Sequence, residues 1–186
     1  MLSSSVWRGL PPYAFALGLV LGGVISGLGV MLVGSVLRAV LPVTAVAVAT
    51  IVVLVVLAAR EFGWPRFPLP QNARLVPETV FRHGRFFGPL QFGIEMGTGM
   101  RTYVPSGLPY AALVLVAGLA GPLTAFAAGA AFGLGRAAMT IGSLYYGADG
   151  EWDLAWSAWE KWLKIMLVLA FGAGQAVLVL PLLGQP

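Results

Sequence analysis

Residues 13–37 read YAFALGLVLGGVISGLGVMLVGSVL, a stretch without one charged side chain. About 20 helical residues cross the hydrocarbon core of a bilayer, so this stretch is long enough to span it. It is also crowded with glycine at Gly18, Gly22, Gly23, Gly27, Gly29 and Gly34. Gly18/Gly22 and Gly23/Gly27 are GxxxG pairs. Such pairs let a second backbone approach closely where lipid supplies no hydrophobic drive for association.

Three further uncharged runs follow, over 39–59, 110–135 and 165–183. The chain of 186 residues is 59% hydrophobic and 10% charged, where soluble domains carry about 25% charge. These observations predict an all-α, polytopic integral membrane protein forming a single transmembrane domain over 1–186, its first partner the lipid bilayer itself. The first run is too long for a signal-peptide core, and a second follows at once, so the first helix is expected to be retained. Val and Ile dominate 39–59, yet its length and lack of turn signals favour a membrane helix over a strand. With no cysteine in the chain, disulfides, thiolate metal sites and thiol relays are excluded. The net charge of +4 comes from arginines at helix ends and in loops, a topological pattern that calls for no nucleic acid.

Residues 60–85 form the main hydrophilic connector, with Pro65, Pro68, Pro70 and Pro77 keeping its early part irregular. Arg60, Arg66, Arg74, Arg82 and Arg85 outnumber Glu61 and Glu78 there. By the positive-inside rule this connector is cytoplasmic, and the N-terminus with Arg8 lies on the same side. The expected location is a bacterial inner membrane. The cluster Phe81-Arg82-His83-Gly84-Arg85 suits an interface with anionic headgroups. Its single histidine makes a poor metal site.

Residues 91–102, QFGIEMGTGMRT, hold the one carboxylate inside an apolar stretch. At about 100° per residue Gln91, Glu95, Thr98 and Thr102 share one stripe of a helix, with Gly93 and Gly97 opposite. The segment 86–100 would be about 22 Å long as a helix, short of the roughly 30 Å core. Gly88-Pro89 precedes the stripe, and Val104-Pro105 follows Gly97 and Gly99. A short, tilted or interrupted helix is expected, tolerated at membrane depth only when buried in protein or lining a cavity. Gln91, Glu95, Thr98, Arg101 and Thr102 are the candidate substrate- or ion-binding residues.

Trp152, Trp156, Trp159 and Trp162 recur at i, i+4, i+7 and i+10, with Asp153, Glu160 and Lys161 on other faces. This predicts an amphipathic helix over 143–162 in the headgroup region, running into the last span. An ordinary aromatic belt explains the tryptophans. With 86–103 counted as a span there are five crossings and the C-terminus is outside; if that segment re-enters, there are four and both ends are inside.

Gly9-Leu10-Pro11-Pro12-Tyr13-Ala14 opens the first run, and Gly107-Leu108-Pro109-Tyr110-Ala111 opens the run at 110. Each leads into a Gly-rich helix closed by Arg-Ala, at Arg38-Ala39 and Arg136-Ala137. The two copies form a candidate inverted repeat, an arrangement that builds many transporters. With its Gly/Pro-broken helices and the stretch Phe92-Gly93-Ile94-Glu95-Met96-Gly97-Thr98-Gly99, the chain resembles the membrane domain of the cytochrome c biogenesis and DsbD family, in the lysine-exporter-like group. The resemblance covers about residues 10–140. It implies a compact helical transporter fold, but the thiol relay of that family cannot carry over to a chain without cysteine.

Glu95 has three readings: a proton- or cation-binding carboxylate, an ion-pair lock with Arg101 or Arg136, or a solvated interfacial group. Thr102, Tyr103 and Ser106 offer hydroxyls with no base placed to activate them, and no nucleotide-binding or metalloprotease motif is present. No enzyme, catalytic residue, cofactor or metal is therefore expected. Two functions remain. One is a small transporter or channel, a homo-oligomer, built on the broken polar helix around Glu95. The other is an accessory subunit whose glycine faces dock a larger membrane partner.

Overall fold

The computed structural model describes residues 9–64, 67–69, 83–99, 106–146 and 151–183. Among these residues six helices follow in order: α1 (Leu10–Val40), α2 (Val43–Glu61), α3 (Gly84–Gly97), α4 (Leu108–Leu119), α5 (Pro122–Tyr145) and α6 (Glu151–Leu183). Among the described residues there is no strand. Helices α1, α2 and α5 are long and apolar enough to cross a membrane, as an integral membrane protein requires. Much of their apolar surface is exposed, including Leu32, Val33, Val36, Val48, Val52 and Val55, which suits contact with lipid chains.

The helices fall into two compact units, with α1 contributing to one through Leu28 and to the other from Gly29. In the first unit α1 is joined by α3 and by α5 from Phe126. The glycines make that packing close. A Cβ on Gly18 would stand 2.9 Å from Gly93 Cα, and one on Gly22 would stand 2.9 Å from the carbonyl carbon of Gly97. Gly129 and Gly133 of α5 meet Gly23 and the Leu19–Val20 backbone as closely. Backbone therefore lies on backbone along two sides of α1, and dispersion between well-packed atoms holds it there. Phe15, Leu19 and Ala137 form the buried core, with Phe92 and Met96 against it. The Phe15 and Phe92 rings stack at 5.3 Å.

In the second unit α4 runs antiparallel to α2: Gly107 lies against Leu57 and Glu61, and Gly118 against Val46 and Thr50. The buried Thr50 hydroxyl donates to Val46 O at 2.7 Å, so no polar hydrogen is stranded in that contact. Gly34 of α1 meets the Ala117 backbone, where a Cβ would stand 2.6 Å from the carbonyl carbon. Leu57, Leu69 and Ala111 form this unit's core, with Leu54 and Tyr110 against it.

The uninterrupted span expected over 110–135 is two helices. Ala120 is extended, with ψ 137°, and α5 restarts at Pro122. Proline has no N–H to continue the ladder and a φ suited to a first turn, so it ends α4 and opens α5. For the same reason α2 begins after Pro42, and Ala39–Val40 belong to α1. Residues 143–145 close α5, while 151–162 open α6, which continues without a break to Leu183. Most of the 60–85 connector lies outside the described residues.

Because Gly22 has backbone where a side chain would go and Gly29 has nothing within 4 Å, the two should respond oppositely to substitution. Gly22→Val should lose about 1–3 kcal/mol of stability or more, and Gly29→Ala should stay within about 0.5 kcal/mol of the parent. Equilibrium unfolding in mixed micelles measures both.

Candidate functional site

Helix α3 places the polar stripe. Its glycine face, Gly93 and Gly97, is buried against α1, which leaves Gln91 exposed and Glu95 and Thr98 half-buried on the rest of the surface. The helix ends because Gly99 takes the left-handed conformation at φ 73°. Thr98 N–H then donates to Ile94 O and Gly99 N–H to Met96 O, the closing turn such a glycine permits. Gln91 Nε2 donates to Glu95 Oε1 at 3.3 Å. The Thr98 hydroxyl donates to the Glu95 carbonyl at 2.8 Å.

Ser26 completes the group. Its hydroxyl reaches from α1 to the Thr98 carbonyl at 2.8 Å, tying the end of α3 to a residue near the midpoint of α1. The structure thus brings together Gln91, Glu95 and Thr98 of the expected set and adds Ser26, a lone hydroxyl in the first apolar run. Arg101 and Thr102 lie outside the described residues. The group holds one carboxylate, one amide and two hydroxyls, and both hydroxyls donate to carbonyls at the end of α3. Among the described residues no three His, Asp or Glu side chains gather to hold a metal. Arg136, named beforehand as a partner for Glu95, is half-buried with its guanidinium over the Phe132 ring at 5.7 Å.

A second charged arrangement closes α4 at both ends. The Glu61 side chain is only 4% exposed, although by sequence it belongs to the hydrophilic 60–85 connector. It accepts the Gly107 N–H at the start of α4 and lies 3.8 Å from Arg60 Nη1. Arg60 in turn donates through Nε to Phe67 O and stands over the Phe67 ring. At the other end of α4, Arg38 Nη1 donates to Ala117 O at 2.6 Å and to Val116 O at 3.5 Å. An anion at a helix N-terminus and a cation at its C-terminus both oppose the macrodipole and satisfy groups that lipid cannot. The signal available in sequence was position: Glu61 is the last residue of a long apolar helix, where a glycine-started helix could find it.

The residues expected at the interface are mostly at the surface. Arg85, Trp156, Trp159 and Trp162 are exposed, and Trp152 is half-buried with its ring 5.6 Å from Tyr146. Arg82 lies outside the described residues. No protein-family model, curated protein or solved structure matches the chain.

Glu61→Ala should destabilise the protein by about 1–3 kcal/mol, since it strips the acceptor from a buried helix start. Hydrogen exchange should rise first at the opening turn of α4. Glu61→Asp, a methylene shorter, should recover only part of the loss.

Proposed function

We propose that the chain is a small membrane transporter or channel-like protein that passes a proton or small cation at Glu95. The observation that carries this reading is the end of α3, where Glu95 and Thr98 sit on the last turn and Ser26 holds that turn near the midpoint of α1. With α1 laid across a core of about 30 Å, that turn falls inside the hydrocarbon region. A carboxylate at such depth is stable only where protein, water or an ion meets it. Glu95 carries the charge, Gln91 orients the carboxylate, and Thr98 supplies a further oxygen.

A likeness to the DsbD-type membrane domain without its thiols belongs to the same reading. So do a homo-oligomeric assembly and the cytoplasmic N-terminus. The accessory-subunit reading needs glycine faces free for a partner. Gly18, Gly22, Gly23 and Gly34 are filled by the chain's own helices, while Gly29 and Gly135 have open space beside them.

Purified protein in liposomes carrying a pH dye, under Na⁺, K⁺ or proton gradients, should show a flux that Glu95→Gln lowers at least about tenfold. Equal flux for Glu95→Gln and the parent, with both correctly inserted, would remove Glu95 from the pathway.

A further inference from the structure

The amphipathic start of α6 has a face that the tryptophans do not occupy. Ser157, Glu160, Lys161 and Lys164 recur at helical spacing on one side, and Trp156, Trp159 and Trp162 lie on the other. That polar side does not open onto bulk solvent alone. Together with Glu61 and Phe62 at the end of α2 it lines an open groove of about 330 Å³. Its charges are unequally engaged. Glu61 is occupied by the Gly107 N–H and Arg60, and Glu160 by Lys164 at 2.7 Å. The Ser157 hydroxyl donates to Leu154 O. Lys161 is exposed and has no ion-pair or hydrogen-bond partner among the described residues.

We propose that this groove holds the headgroup of an aminophospholipid, its phosphate on Lys161 and Lys164 and its ammonium on Glu160. The depth fits. At about 1.5 Å per residue α6 is about 50 Å long, well beyond a 30 Å core, so its first turns stand among the headgroups. The exposed tryptophans mark the same level. The charge fits as well. A groove with one uncommitted cation and a lysine–glutamate pair that can open favours a ligand of both signs over a simple anion, because each group of the pair regains a partner. Phe62, 65% exposed at the edge, offers apolar surface to the glycerol and first acyl carbons.

Native mass spectrometry of the detergent-solubilised full chain, titrated with phosphatidylethanolamine, phosphatidylcholine, phosphatidylglycerol or inorganic phosphate, tests this. Phosphatidylethanolamine should bind at least about fivefold tighter than phosphatidylcholine, whose methylated ammonium cannot donate to Glu160. Lys161→Gln should weaken phosphatidylethanolamine about fivefold and Glu160→Gln should abolish the preference over phosphatidylcholine. Both positions are at the surface, so folding should be unaffected. Preferential binding of phosphatidylglycerol, competition by inorganic phosphate at equal concentration, or affinities indifferent to both substitutions would each overturn the proposal.

Discussion

Everything described for the first unit depends on how closely two backbones can approach along α1. In water an apolar helix is driven onto its neighbour by the solvent; in lipid that drive is missing, and only closer contact distinguishes a neighbouring helix from an acyl chain. Gly18 and Gly22 on α1, with Gly93 and Gly97 on α3, remove the side chains that would keep the helices apart. The consequence is positional. With its glycine face fixed against α1, α3 can turn only one way, and Gln91, Glu95 and Thr98 are among the residues left at its surface. Packing decides where the polar chemistry stands.

The second unit solves a different problem. A helix of 12 residues, α4, exposes unpaired N–H groups at one end and carbonyls at the other, and it is too short to carry both ends into headgroups. Glu61 and Arg38, each from the last turn of a longer apolar helix, meet those ends with charge of the correct sign. Single charges at such places are costly in lipid unless satisfied, and here the helix termini satisfy them. Arg38 grips carbonyls at the end of α4, and the Arg136 guanidinium stands over the Phe132 ring.

The long apolar helices were legible in sequence because length and absence of charge are nearly sufficient to define a span. So was the short helix at 84–97, since Gly97 and Gly99 announce its end and its polar and glycine faces separate by simple periodicity. The break at Ala120–Pro122 was not read, because the apolar run continues through it and composition hides a proline that costs a helix its hydrogen bond. Glu61 was missed for a related reason. Counted with the arginine-rich connector it looked solvated, and only the tertiary placement of Gly107 shows what it holds. Ser26 likewise has no meaning until the end of α3 arrives beside it.

The proposed site requires a polar helix end that stands inside the membrane span and is nevertheless reachable by water. The absence of native cysteine allows a direct reading of both properties. Thr98→Cys and Leu17→Cys can be compared in proteoliposomes, using a small charged thiol reagent for water access and a lipid-borne quencher for depth. The account predicts that position 98 lies deep by quenching and still reacts with the charged reagent, while Leu17, exposed on α1, does not react. A cysteine at 98 that reacts only as a headgroup-level residue would, or that lies deep and unreactive, would contradict it.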